Sequence, residues 1–253
     1  MELSRGDTLR ILCSCAYDGT NFYGFQIQPE LRTVQGEIEK VLTQIHKYPV
    51  SIVGASRTDA KVHALNQYFH FDTTLNISQE NLKKALNSLL PDDIYITECK
   101  VVDDDFHCRY QSTMKEYHYI IDFGPYNPLY RNYRYFYPFS LEKFSFEILK
   151  EASKVFIGKH DFKSFTKTKT YKNTVRTIYN IDFELQNNLL TIKFIGDGFL
   201  HHMVRIIVAM MLSCAQGKYS ISDLKQILAG KNRQLAPEIA PPYGLYLYKI
   251  YYD

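Results

Sequence analysis

Hydrophobic and polar positions alternate with two different periods along the chain. Strict alternation predicts strands, and apolar positions three or four residues apart predict amphipathic helices. Ser or Thr before an apolar run and Gly after it are typical of helix ends. These patterns predict strands at 8–17, 49–55, 64–72, 94–102, 110–123, 175–183, 189–195 and 245–251, and helices at 33–46, 78–90, 141–156, 199–216 and 220–229.

The order of these elements predicts an α+β fold of two similar halves. Each half is expected to form an antiparallel sheet with helices on one face. An acidic run, Asp103 to Asp105, marks the expected change of domain. The N-terminal half is therefore placed at residues 1–105 and the C-terminal half at 106–253.

Composition excludes several classes of protein. The chain has 253 residues, of which 45% are hydrophobic and 23% charged, a balance typical of globular proteins. Lys and Arg number 30 against 27 Asp and Glu, so a wholly electrostatic nucleic-acid coat is excluded, while a local basic face is not. The 5 cysteines argue against a disulfide scaffold. With no apolar signal segment and no membrane-spanning run, a cytoplasmic protein without membrane contact is expected.

The segment with the clearest chemistry is GASRTDAKVHA, from Gly54 to Ala64. It joins two predicted strands, so a loop held by rigid neighbours is expected. Arg57 and Asp59 are two residues apart and share a face in extended backbone. A neighbouring guanidinium keeps a carboxylate ionised and oriented, ready to act as a nucleophile or to stabilise a cation. Taken alone, such a pair more often is an ordinary surface ion pair.

The wider sequence resembles the tRNA pseudouridine synthase A family. Its catalytic motif, Gly-Arg-Thr-Asp-Ala-Gly-Val-His-Ala, is similar to residues 56–64. Further blocks follow in the family's order along nearly the whole chain. These are YDGTNFYGFQ at 17–26, FHCR at 106–109, KEYHY at 115–119, HDFKSF at 160–165, FLHHMVR at 199–205 and GLYL at 244–247.

The resemblance implies isomerisation of uridine to pseudouridine in the anticodon stem–loop of tRNA, at tRNA positions 38–40. The active-site cleft is expected between the two halves. Asp59 is the expected catalytic carboxylate, and three routes stay open: addition to C1′, addition to the uracil ring, or a glycal intermediate. The target base must leave its stack to be reached. Arg57 is expected to fill the vacated space or pair with Asp59, and Tyr117 to stack on the base or move a proton. No cofactor is expected, because no redox change and no group donor is needed.

Two substitutions depart from the family motif. Ser56 and Lys61 replace glycines, and Phe25 replaces a common Trp. Glycine is used where φ is positive or where a ligand approaches closely. Lys61 is expected either to crowd the loop or to add a phosphate contact beside Asp59.

Other residues are expected to bind the substrate or support the site. Leu245 matches a family Leu that contacts the base. Arg205, in an apolar helix, is expected to need a carboxylate or phosphate partner, with a structural ion pair as the alternative. His201 and His202 are adjacent, and adjacent side chains diverge on a helix, so no metal site is expected.

A basic segment follows in the second half. Lys163, Lys167, Lys169 and Lys172 lie between Lys159 and Arg176, with Asp161 the one acidic residue. Such a run suits RNA phosphates, although a solvated loop is the plain alternative. Phe162, Phe165 and Tyr171 are expected to offer rings for stacking. Arg131 and Arg134, among tyrosines, form a weaker second cluster.

Two other functions remain open on the sequence. One is a tRNA-binding relative with impaired catalysis, because Ser56 and Lys61 alter the catalytic loop. The other is a glycosidase, which needs a second carboxylate within about 10 Å of the first. The resemblance also implies a homodimer, with tRNA lying across both subunits.

Overall fold

A computed structural model describes residues 8–139, 144–168, 170 and 172–253. The chain divides into two compact units. The N-terminal unit comprises Met1–Thr113 and Leu247–Asp253, and the second unit comprises Met114–Tyr246. The sequence-based division at residues 105 and 106 differs from this one mainly at the C-terminus. The strand predicted at 245–251 is divided, because Leu245 and Tyr246 belong to the second unit and the residues from Leu247 onward to the N-terminal unit.

The N-terminal unit is an antiparallel sheet with two helices. Its strands lie in the order β4-β1-β3-β10, and β2 pairs with β3. Both β3 and β4 run antiparallel to β1, with Cys13 opposite Phe69 on one side and Cys99 on the other. The elements are β1 (Leu9–Tyr17), α1 (Val34–His46), β2 (Val53–Gly54), β3 (His63–Thr73), α2 (Gln79–Leu89), β4 (Ile94–Val102) and β10 (Leu245–Tyr251).

The second unit is a sheet built around a buried helix. Its strands lie in the order β5-β9-β8-β7, and β6 pairs with β5 in parallel. Every residue of α4 is buried, and α3 packs against it. The elements are β5 (Met114–Asp122), β6 (Tyr135–Phe136), α3 (Phe146–Lys154), β7 (Gly158–Asp161), β8 (Val175–Gln186), β9 (Leu189–Gly196), α4 (Met203–Ala215) and α5 (Ile221–Ala229).

Four of these helices begin at a hydroxyl side chain that caps the first turn. Thr33, Ser78, Ser145 and Ser220 each accept a hydrogen bond from a backbone N–H of the first turn. Such caps satisfy donors that the helix itself leaves unpaired. The predicted starts of α1, α2 and α5 are confirmed at these residues.

Several elements differ from the prediction. The helix expected at 141–156 is α3, Phe146–Lys154, and residues 141–143 lie outside the described residues. The strand expected from residue 110 begins at Met114, because residues 107–112 form a turn in which the N–H of Tyr110 donates to the carbonyl of His107. The strand expected at 49–55 is reduced to Val53–Gly54. The short strands β6 and β7 are missed, since two to four residues carry too little alternation to be recognised.

No helix in the described part of the chain is both long and apolar enough to cross a bilayer. All five cysteines are buried, and none is in a disulfide.

Candidate active site

The loop that carries Asp59 connects β2 to β3 and is tied to β3 by a buried glutamine. Gln67 is fully buried, and its side-chain oxygen accepts from the N–H of Ser56 at 3.1 Å. Its amide nitrogen donates to the carbonyl of Ser56 at 2.7 Å. Both backbone groups of Ser56 are therefore satisfied away from water, so the start of the loop is fixed.

The centre of the loop rests on the segment at Gly24 and Phe25. The N–H of Phe25 donates to the carbonyl of Thr58 at 3.1 Å. Gly24 has a φ of +102°, and a Cβ there would lie 2.8 Å from the same oxygen. The hydroxyls of Thr58 and Tyr17 are 2.8 Å apart. The residue before Asp59 is thus held by backbone and side-chain contacts from the block at 17–26.

The end of the loop is fixed by a second close approach. A Cβ on Gly19 would lie 2.0 Å from the carbonyl oxygen of Val62, so no larger residue fits without moving the loop. The N–H of Gly19 donates to Nδ1 of His63 at 3.0 Å, and the carboxylate of Asp18 lies 3.2 Å from that nitrogen.

Within this loop, Asp59 and Arg57 differ in exposure. Asp59 is half-buried, and its carbonyl accepts from the N–H of Val62 at 3.2 Å. Arg57 is exposed, and it takes part in none of the ion pairs found among the described residues. The guanidinium of Arg57 is therefore available to an incoming ligand rather than being held by a neighbouring carboxylate.

The two departures from the family motif differ in backbone conformation. Lys61 has a φ of +64°, in the left-handed region where glycine is favoured, and its side chain is exposed. A lysine there costs about 1 kcal/mol of backbone strain. Ser56 lies outside that region and is buried. Of the two replaced glycines, only the one at position 61 is replaced at a conformational cost.

In the second unit, Tyr117 lies on β5 opposite Phe194 of β9. Its side chain is buried, and its ring meets that of Phe199 edge to face at 5.2 Å between centroids. Tyr119, on the same strand, is fully buried, and its hydroxyl donates to the carbonyl of Pro241 at 2.8 Å. Burial raises the pKa of Tyr119 well above its ordinary value. Tyr119 therefore packs, as expected, and is unsuited to proton transfer.

Leu245 is buried at the start of β10. The preceding Gly244 approaches β5 so closely that a Cβ would lie 2.8 Å from the carbonyl oxygen of Ile120. The position of Leu245 is thus set by the strand that carries Tyr117.

Arg205 lies in the first turn of α4 and is buried. Its Nε donates to the carbonyl of Ala240 at 2.8 Å, and the N–H of Ala240 donates to the carbonyl of Arg205 at 3.1 Å. This reciprocal pair fixes the segment that leads to Leu245. A positioning role thus stands beside the predicted contact with an anion.

The prediction for the two histidines is wrong in its geometry. The helix begins at Met203, and His202 has a φ of +65°, so both histidines precede the helix. Their rings lie 4.0 Å apart between centroids instead of diverging. Nδ1 of His201 is 2.9 Å from the hydroxyl of Thr168, in the middle of the basic segment.

The basic segment, predicted to contact RNA phosphates, carries exposed lysines among the described residues. Lys159, Lys163, Lys167 and Lys172 are exposed, whereas Lys169 and Tyr171 lie outside the described residues. The prediction that Phe162 and Phe165 offer rings for stacking is wrong, because both are fully buried and contact each other. Their apolar side chains hold the segment on the core, so its lysines project outward.

The weaker cluster is occupied within the protein. Arg134 lies 4.0 Å above the ring of Tyr130 and pairs with Asp122 at 3.3 Å. Arg131 donates to the carbonyl of Pro128 at 2.7 Å. Both guanidinium groups therefore stabilise the loop after β5.

The two units divide the predicted site residues between them. Arg57, Asp59 and Lys61 belong to the N-terminal unit; Tyr117, Arg205, Leu245 and the described lysines of the basic segment belong to the second. Sequence reasoning missed Gln67, whose role depends on a contact across the loop. In the strand pattern it is an ordinary polar position, so no local signal marks it.

Comparison with known proteins gives one consistent result. The family model described as "tRNA pseudouridine synthase" matches residues 14–111 and 152–253. The tRNA pseudouridine synthase A of Geobacillus sp. (strain WCH70) is 47% identical over 96% of this chain and 98% of its own length. The proteins of that name from Geobacillus kaustophilus and Bacillus licheniformis are 45% and 41% identical, over 97% of this chain and 95% and 100% of theirs.

Similarity to solved structures is much weaker. A structure of an H/ACA ribonucleoprotein bound to a substrate RNA matches with a TM-score of 0.33 and 12% identity, over 80% of this chain and 53% of that one. A similarity this low adds nothing to the fold described above. The sequence match, by contrast, spans both units and includes the anchored Asp59 loop, and by it the chain belongs to the tRNA pseudouridine synthase family.

Proposed function

We propose that this protein isomerises uridine to pseudouridine in the anticodon stem–loop of tRNA, at tRNA positions 38–40. The observation that carries the proposal is the loop of Asp59, anchored at Ser56, Thr58 and Val62, in a chain that belongs to this family. Three separate anchors on one short loop are what the precise placement of a reacting carboxylate requires.

The reaction exchanges one bond of the uridine for another. The bond from C1′ of the ribose to N1 of uracil breaks, the base turns, and C5 bonds to C1′. The proton on C5 leaves and N1 takes up a proton, so the composition is unchanged. Asp59 supplies the carboxylate that stabilises or adds to the electron-poor centre, as carboxylates do in glycosidic cleavage.

The other residues act on the same flipped uridine. Arg57, exposed beside Asp59, occupies the space left in the stem or contacts a phosphate. Tyr117 and Leu245 supply apolar surface to the base, since every base has a face that stacks. Lys61 and the exposed lysines of the basic segment contact phosphates.

We further propose that the protein works in the cytoplasm as a homodimer on full-length tRNA. Sedimentation at micromolar concentration tests the dimer, for which twice the monomer mass of 29.6 kDa is expected.

The RNA is recognised mainly by its shape and backbone, because the A-form major groove hides the base edges.

The experiment uses a tRNA transcript with tritium at C5 of uridine. Formation of the C5–C1′ bond releases that tritium into water, so release counts turnovers. Asp59→Asn is expected to abolish release, by at least about a thousandfold, because the amide is no nucleophile. The variant is expected to bind the tRNA within about threefold of the parent, since the amide matches the carboxylate in size and carries no charge to repel phosphates.

Thr113→Val, in the N-terminal unit outside the Asp59 loop, is the control for a generally disturbed protein. Tritium release by Asp59→Asn at the parent's rate contradicts the role of Asp59. Tight tRNA binding without release by the parent identifies instead a binding protein with impaired catalysis. Release mapped outside positions 38–40 contradicts the assigned target.

A further inference from the structure

A solvent-open hollow of about 590 Å³ lies in the second unit, where α3 and α5 end beside β7. Its volume is within the range typical of ligand sites, roughly 300 to 1,000 Å³. Four of its lining residues are lysines, and its wall includes Val155 and Leu228. The lining of the hollow includes no residue of the catalytic motif at 56–64.

The hollow keeps a positive charge after its own acidic groups are counted. Asp161 is the one carboxylate in its lining. The C-terminal ends of α3 and α5 each add roughly half a negative charge. Together with the carboxylate of Glu151, which pairs with Lys154, these leave about one positive charge against the four lysines.

Two of the four lysines form an ion pair with a carboxylate, and the other two do not, among the described residues. Lys154 pairs with Glu151 at 2.5 Å, and Lys231 with Asp161 at 3.2 Å. Lys159 and Lys225 are both exposed and take part in none of the ion pairs of the described residues. These two ammonium groups are therefore the ones available to a ligand.

The wall between the lysines is apolar. Val155 and Leu228 are largely buried, and Ile157 is 36% exposed in the same lining. A nucleotide supplies both matching groups, because its phosphate can pair with the lysines and its base can lie against this apolar wall. The open form of the hollow suits a nucleotide within a chain better than an enclosed small molecule.

The hollow also adjoins the basic segment. Lys159 belongs to both, and in the pairing of β7 with β8 the neighbouring His160 lies opposite Arg176 at the far end of that segment. Lys159 thus connects the exposed lysines of the segment with the hollow.

We propose that this hollow is a second RNA-contact site, in which Lys159 and Lys225 bind the phosphate of a tRNA nucleotide other than the target uridine. The proposal rests on the proposed function in taking tRNA as the substrate. The site holds the RNA and takes no part in the reaction, so it contributes to affinity and not to the chemical step.

The test is the double variant Lys159→Ala, Lys225→Ala, measured for binding of an unmodified tRNA transcript. Each phosphate contact contributes a slope of about 0.7 to 0.9 in the salt dependence of affinity. Loss of two contacts is expected to weaken binding roughly 30-fold at 0.1 M salt and to make the slope shallower by about 1.5. Because the lost contacts bind RNA, the KM for tRNA is expected to rise by a similar factor, and the kcat of tritium release is expected to change much less.

The matched control removes two exposed lysines of the N-terminal unit, Lys40 and Lys100, by the same change to Ala. Its affinity is expected to stay within about twofold of the parent. Lys159→Arg, Lys225→Arg keeps the charge and is expected to restore binding. If the double Ala variant loses thermal stability but no tRNA affinity, the lysines serve the helix ends alone and the proposal is overturned.

A free nucleotide is the other source of the same chemistry. Uridine monophosphate, titrated against parent and double variant, separates the two sources. Lysine-dependent binding of the monophosphate, with unchanged tRNA affinity, overturns the proposal in favour of a small-molecule site. If the parent binds tRNA through these lysines and yet forms no pseudouridine, that result supports the RNA-contact site in the hollow and contradicts only the proposed reaction.

Discussion

At the scale of single residues, the loop of Asp59 separates chemistry from backbone geometry. Asp59 and Arg57 carry the charged groups of the loop, whereas Gly19 and Gly24 hold it through contacts that no side chain permits. Lys61 combines two effects. It adds a charge beside Asp59, and it adopts a left-handed conformation that suits glycine. The residue scale therefore predicts different outcomes for substitutions that are close in sequence.

Lys61→Gly and Lys61→Ala separate the charge of Lys61 from its strain. Both remove the ammonium group, so both are expected to weaken tRNA binding about fivefold at 0.1 M salt. Only glycine relieves the φ of +64°, so only Lys61→Gly is expected to raise the free energy of unfolding, by about 1 kcal/mol. Urea denaturation and tRNA titration of the two variants measure these effects. Equal stability of the two variants would contradict the strain at this position.

Gly19→Ala is expected to displace the end of the loop. The added methyl group would lie 2.0 Å from the carbonyl oxygen of Val62, so the backbone must shift. We expect about 2 to 3 kcal/mol lower stability and a turnover that falls at least tenfold.

Gly198→Ala is the matched control for that substitution. Its Cβ would meet only the side chain of Arg176, at 3.7 Å, so stability is expected to stay within about 0.5 kcal/mol of the parent. Similar losses in the two variants would show that the contact with Val62 is unimportant.

At the scale of elements, a strand in the sheet positions a loop that has no regular structure of its own. β3 contributes Gln67, which binds both backbone groups of Ser56, and β1 contributes Tyr17, which contacts Thr58. The position of the loop is thus fixed by its contacts with β1 and β3. This arrangement fits the general rule that reacting groups lie on loops fixed by a rigid scaffold.

Gln67→Leu tests this support. The change removes both hydrogen bonds from Gln67 to the buried backbone of Ser56, which is expected to cost about 2 to 4 kcal/mol of stability. Turnover is expected to fall more than tRNA affinity, since the exposed lysines of the basic segment keep their proposed phosphate contacts. Kinetics at saturating and limiting tRNA measure the two effects separately.

Gln186→Leu, at the exposed end of β8, controls for the loss of a glutamine. It is expected to leave turnover within about twofold of the parent. A Gln67→Leu protein with full activity would mean that the loop does not depend on this strand.

At the scale of the whole molecule, a buried histidine couples stability to pH. Burial lowers the pKa of His70 to about 4, and its Nδ1 accepts from the N–H of Cys108 at 3.4 Å. Between pH 6.5 and 4 the unfolded chain therefore binds a proton that the folded chain does not. Stability rises with pH across this window and falls as the solution is acidified.

We expect the parent to lose about 2 to 3 kcal/mol of stability at this residue between pH 7 and pH 4. His70→Gln keeps a polar side chain beside Cys108 and cannot titrate, so its loss over the same range is expected to be smaller by that amount. Urea denaturation at several pH values measures the difference. Parallel pH profiles for the two proteins would contradict the assignment.

The sequence by itself determined much of the local structure. Hydroxyl caps and apolar spacing placed α1, α2 and α5, and alternation placed β1, β3 and β4, because these signals act between residues a few positions apart. The ordered motifs also determined the family and singled out Asp59, since a family's pattern is written in the residues themselves.

Only the tertiary structure decided which residues hold the site and which surfaces are exposed. Gln67 looked like an ordinary strand residue, Phe162 and Phe165 looked available for stacking, and His201 and His202 looked helical. The bonds of Gln67 to Ser56, the burial of the two phenylalanines and the left-handed turn at His202 each depend on atoms that the chain brings together across intervening residues. Spacing along a sequence encodes periodicity, whereas burial and partners are set by packing, which no local pattern contains.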